Sequence, residues 1–241
     1  MASGGETLFA ETLSNDVLLY RLQILICDGG LLVLRNILDQ TLAAQGITLR
    51  ACLDSEKSTV RHLKNRGVIT QEQYDILFPD YDRIPTTTDM DISLVICLLR
   101  NLKCFGLSQR FDWDATPISS DVSVEADICR LRTLRDKICH MSTTSRIQPT
   151  DFATVWSDIE EVLVRRSFPA LNMQQIIADF KNCPLDPEES KKIQKEVKKW
   201  KDYEADVGRL EDEMKEISAN VSDVSKKREE IKIPQYQNRL F

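Results

Sequence analysis

The chain has 241 residues, 42% of them apolar, with 32 basic and 38 acidic side chains and a formal net charge of −6. These figures describe material for one sizeable core and an appendage. They exclude a general nucleic-acid coat, because an acidic chain has no global field that attracts phosphate, so any contact with RNA or DNA has to come from a local cluster.

In chain order, the opening "MASGGETLFAETLS" lacks a basic n-region and a long apolar h-region, and Ala2 stands where myristoylation needs Gly. No apolar run is read as reaching membrane-spanning length, so the expectation is a cytoplasmic protein without a membrane partner. Ser14 or Asn15 can cap a helix in which apolar residues recur from Val17 through Leu42. Gly46 is its stop and Gly29-Gly30 a kink or break, giving one long helix or two short ones.

The segment "STVRHLKNRGVITQEQYDILFP" ends a short helix near Gly67, restarts at Thr70 and Gln73, spaced as a capping box, and stops before Pro79. His62, at that basic helix end, reads as a partner of the helix dipole. "TTTDMDISLVICLLRNLKCFG" predicts the central core helix, apolar nearly all round from Ile92 through Phe105 and closed by Gly106. "DFATVWSDIEEVLVRR" sets Phe152, Val155, Trp156, Ile159, Val162 and Leu163 on one core-facing stripe, and Trp113 and Trp156 read as core anchors. No strand pattern competes, so the expected fold class is all-α.

Pro184 and Pro187 mark a linker. From Trp200 onward Tyr203, Val207, Leu210, Met214, Ile217, Val221 and Val224 alternate by four and three, a heptad seam of about three repeats weakened by Gly208 and Arg228. The expected organisation is a helical bundle over 1–186, a coiled-coil tail over 187–232 and a terminal extension over 233–241. Self-association through the tail, a solvated helix and a helix packing back on the bundle remain open.

Seven cysteines (27, 52, 97, 104, 129, 139, 183), with no C-x-x-C pair, read as buried free thiols of a reducing compartment. His62 and His140, the two histidines, have no Cys or carboxylate pair at ligand spacing, so no metal and no cofactor are expected.

The stretch with the most chemistry is "CRLRTLRDKICHMS", residues 129 to 142. On a helix, Ile128, Leu131, Leu134 and Ile138 share a narrow apolar sector, while Arg132, Asp136 and His140 run i, i+4, i+8 along an outward face. Arg135 borders the apolar stripe about 140° from His140, so the two converge only at a helix end or across a second protomer. The plain alternative is that Arg135 and Asp136 form surface ion pairs and His140 caps the last turn.

Arg135-Asp136-x-x-x-His140, ending a helix of an all-helical domain, resembles the signature of the HEPN superfamily. Together with "EKSTVRHLKNRGVITQEQYDILFP", "DMDISLVICLLRNL", "WDATPISSDVSVEADICRLRTLRDKICH" and "FATVWSDIEEVLV", in this order, it resembles the HEPN family named after the DAZ-interacting zinc-finger ubiquitin ligase, from about Leu18 to Asp186. Where that family usually has Asn after the Arg this chain has Asp136, and Ile138-Cys139 stand where an aromatic-Gly pair usually precedes the His, with a gap one residue shorter.

The resemblance implies a HEPN-type bundle that binds RNA and acts as a homodimeric, metal-independent endoribonuclease, as in host defence and innate immunity. His140 would serve as base or acid, Arg135 as phosphate clamp and Asp136 as the group orienting the imidazole. Arg130, Arg132 and Lys137 would add phosphate contacts. It equally implies a second class of function, a non-catalytic interaction or oligomerisation module for signalling or ubiquitin-ligase partners.

Overall fold

The computed structural model describes residues 15–80, 83–108, 110–141, 147–184 and 186–202. Two compact units are distinguished, Met1–Trp200 and Lys201–Phe241. The heptad seam from Tyr203 and the terminal extension lie outside the described residues. Among the described residues every regular element is helical, as the apolar spacing predicts.

Helix α1 runs Asn15–Gln45. Its glycine pair does not break the helix: it falls in a π-helical segment, Leu25–Gly30, within the continuous run. Gly29 has a packing reason: a Cβ there would stand 3.0 Å from Leu163 Cδ1. Gly46 ends the helix at φ 65°, a left-handed position that glycine adopts without penalty. The continuity corrects one expectation. By length and composition α1 is apolar enough to cross a membrane, and 67% of its most apolar window is buried inside the bundle.

Helix α2 (Leu49–Ser55) is capped by Thr48, which accepts from the Ala51 N–H. Helices α3 (Lys57–Asn65) and α4 (Gln71–Leu77) form the expected hairpin, with Gly67 at φ 71° and both halves of the Thr70/Gln73 capping box in place. Helix α5 (Ile92–Asn101), capped by Asp91, buries Ile92, Leu94, Val95, Ile96, Leu98 and Leu99. It stops earlier than its apolar run predicts: Leu102 is extended, and Lys103–Phe105 form a separate 3-10 turn ending at Gly106. Apolarity alone does not mark that stop, since Leu102 and Phe105 are as buried as the helix itself.

Helices α6 (Val124–His140), α7 (Pro149–Arg166) and α8 (Met173–Asn182) complete the bundle. α1 is the central element, packing against α5, α6, α7 and α8. A last helix, α9, begins at residue 187 and is described to 202. Its Ile193, Val197 and Trp200, spaced i, i+4, i+7, are buried in the same core, so packing continues past residue 186 to Trp200.

The cysteines also depart from expectation. Cys52 of α2 and Cys104 of the 3-10 turn, 52 residues apart in sequence, form a disulfide with a Cα–Cα separation of 5.6 Å. Cys27, Cys97, Cys129, Cys139 and Cys183 remain thiols rather than disulfides. The pairing escapes sequence reading because only the packing of α2 beneath the end of α5 brings the two together.

Candidate functional site

Helix α6 begins with Ser123, whose hydroxyl accepts from the Ala126 N–H. The apolar sector predicted for it is real: Ile128, Leu131, Leu134 and Ile138 are buried, and Cys129 and Cys139 join them. Opposite that face Thr133, Lys137 and His140 are exposed, with Lys137 and His140 in the last turn. Those two side chains meet solvent where the helix ends.

Arg135 is a different kind of residue. It is 7% exposed, and each of its three guanidinium nitrogens donates a hydrogen bond. Nε and Nη2 donate to Asp136 Oδ1 at 2.8 and 2.5 Å, and Nη1 donates to Ser93 Oγ of α5 at 2.9 Å. The indole of Trp200 covers its face, with Cζ 5.8 Å from the ring centroid. Burial removes hydration from the cation, and the two hydrogen bonds to Asp136 Oδ1, the Ser93 hydroxyl and the ring replace it. Arg135 therefore ties α6 to α5 and α9. Burial pushes the neighbouring Cys27 thiol well above its usual range, Asp28 adds to the effect, and the positive charge of Arg135 opposes it.

Arg130 and Arg132 are half-buried and bonded within the chain. Arg130 donates to Asp127 Oδ1 at 2.7 Å and to the Ile118 carbonyl at 2.6 Å. Arg132 donates to the Trp113 carbonyl at 2.6 Å and pairs with Asp114 at 3.6 Å. Both arginines thus hold the long α5–α6 connection against α6, and Lys137 is the exposed cation of the predicted set. The outward row of Arg132, Asp136 and His140 grades from half-buried to exposed along the helix.

Sequence reading passed over Asp127. Its carboxylate is completely buried and accepts from three arginines: Arg130 and Arg165 on Oδ1, at 2.7 and 2.6 Å, and Arg166 on Oδ2 at 2.6 Å. Arg165 also pairs with Glu161, and Arg166 donates to the Val122 carbonyl. This network locks the start of α6 to the end of α7, as His140 stands at the opposite end of α6. The signal available in sequence was an arginine pair closing one helix and an acidic residue in the first turn of another.

Among the described residues, no group of three His, Cys, Asp or Glu side chains is placed to hold a metal ion. The arrangement offers an exposed imidazole and ammonium at the end of a rigidly held helix, a combination suited to proton transfer and to contact with an anion.

A family model described as DZIP3/hRUL138-like HEPN matches residues 46–193. That span contains α2 to α8, the whole of α6 and the start of α9. No curated protein and no solved structure matches the chain.

Proposed function

Because the chain belongs to the DZIP3/hRUL138-like HEPN family, we propose that it is a cytoplasmic RNA-binding HEPN module that cleaves RNA as a homodimer, in defence or signalling. The observation that carries this reading is the exposure of His140 and Lys137 together in the last turn of α6, while the rest of the motif fixes that turn in place.

Cleavage needs one group to take the proton of a ribose 2′-OH and another to deliver a proton to the leaving 5′-oxygen. The 2′-oxygen then bonds to phosphorus as the P–O5′ bond breaks, leaving a 2′,3′-cyclic phosphate. One chain brings one motif histidine, so the His140 of each of two copies supplies the neutral base and the charged acid. Lys137 contributes positive charge beside the phosphate. Arg135, enclosed by Asp136, Ser93 and Trp200, acts as a positioning residue for the end of α6 and contacts phosphate only where those partners release it.

The burial of Arg135 also favours a second reading, a non-catalytic module that recruits signalling or ubiquitin-ligase partners. RNA cleavage by the purified protein, compared with His140→Ala in excess chelator, separates the two. Loss of cleavage with an intact fold supports the nuclease, and no cleavage by the wild type supports the adaptor.

A further inference from the structure

The chain is acidic overall, yet residues 57 to 71 contain no Asp or Glu and carry Lys57, Arg61, His62, Lys64 and Arg66. All of these lie on α3 or its C-cap. Val60 and Leu63 pin the helix to the core, and Lys57, Arg61, His62 and Arg66 are exposed. Lys57, Arg61 and Lys64 follow i, i+4, i+7, so they form one stripe along the helix with cations about 5 to 6 Å apart along the axis.

Beside the stripe stand two half-buried rings, Tyr74 of α4 and Phe78 at its C-cap, with centroids 4.9 Å apart. Lys57 lies over the Phe78 ring at 5.2 Å and Lys64 over the Tyr74 ring at 4.9 Å. Three acidic groups flanking the hairpin are bonded elsewhere. Asp54 pairs with Arg50, Glu56 accepts from the Thr59 hydroxyl and the Lys103 N–H, and Asp75 accepts from Gln71. A positive stripe with adjacent aromatic rings is therefore left open on a helix separate from α6.

We infer that the α3–α4 hairpin is a docking face for single-stranded RNA, with Lys57, Arg61 and Lys64 along the phosphates and Tyr74 and Phe78 beside the bases. The inference rests on the RNA reading above and adds to it a surface remote in sequence from the histidine motif. Cations alone would suit an acidic protein segment equally. The paired rings favour nucleic acid, because every base offers a face to stack and the lysines above the rings can exchange that contact for a phosphate. A single strand fits better than a duplex, whose bases are already stacked.

The test is fluorescence anisotropy of a labelled oligouridylate with the full chain, at stepped salt, comparing wild type with Lys57→Gln/Arg61→Gln. Both side chains are exposed, and circular dichroism checks that the variant keeps its helices. The expected result is at least a tenfold loss of affinity, with the slope of log affinity against log salt falling by about 1.4, the value for two phosphate contacts on a single strand. Equal binding by wild type and the double variant overturns this proposal and leaves the reading of α6 standing. No binding by the wild type overturns both. Binding of polyglutamate that the double variant loses, with oligouridylate binding unchanged, overturns it in favour of an acidic protein partner.

Discussion

Replacing Trp200 by alanine tests whether α9 is part of the bundle and a cover for the motif arginine. The indole is 5% exposed, and a buried Trp removes about 200 Å² from water, worth about 5 kcal/mol at about 25 cal/mol per Å². Against this, its Nε1–H is buried with no hydrogen-bond partner among the described residues, a cost of about 1 to 3 kcal/mol that truncation relieves. The lost stacking on Arg135, at 5.8 Å, adds back about 1 kcal/mol. The net expectation is a destabilisation of about 3 to 5 kcal/mol, read as a lower urea midpoint by far-ultraviolet circular dichroism. Trp200→Phe keeps an apolar ring and removes the unpartnered N–H, so it should stay within about 1 kcal/mol of wild type. In Trp200→Ala the Nε–H resonance of Arg135 should also begin to exchange with water. A Trp200→Ala protein as stable as wild type, or a Trp200→Phe protein as damaged as the alanine variant, would refute the packing argument.

Asp127→Asn should cost about 3 to 5 kcal/mol by calorimetry or urea unfolding, because Arg130, Arg165 and Arg166 lose the one buried charge they share; an unchanged midpoint would show the network to be dispensable. Burial pushes the Cys97 thiol up to about 12, so at pH 8 only about one molecule in ten thousand carries the thiolate. Native labelling of Cys97 should therefore be very slow and rise about tenfold per pH unit between 8 and 10, and labelling at the speed of an ordinary exposed thiol would contradict the site. Reducing the Cys52–Cys104 bond, which closes a loop with a sequence separation of 52, should lower stability by about 4 kcal/mol on the loop-closure scale. A Cys104→Ser variant that unfolds at the same urea concentration as the oxidised wild type would count against that bond.

Much of this fold was written in short-range signals. The Thr70/Gln73 box, the stop at Gly46 and the stripe from Val155 to Leu163 depend on neighbours within a turn or two, and each appears where the spacing places it. What escaped depends on contacts between distant segments. The Cys52–Cys104 bond needs α2 under the end of α5, the three arginines on Asp127 come from two helices, and the docking of α9 shows only once Trp200 meets Arg135. The same holds at the candidate site. Spacing separates Arg135 from His140 around α6, but it does not reveal that Ser93 and Trp200 enclose the arginine while the histidine stays exposed.

The central claim concerns His140, and RNA cleavage in excess chelator by wild type and by His140→Ala tests it most directly, with helical content and mass in solution measured alongside. The account predicts that the dimeric wild type produces 2′,3′-cyclic phosphate ends and that His140→Ala produces none. A folded wild type that leaves every RNA intact, or a His140→Ala protein that cleaves as the wild type does, would contradict it.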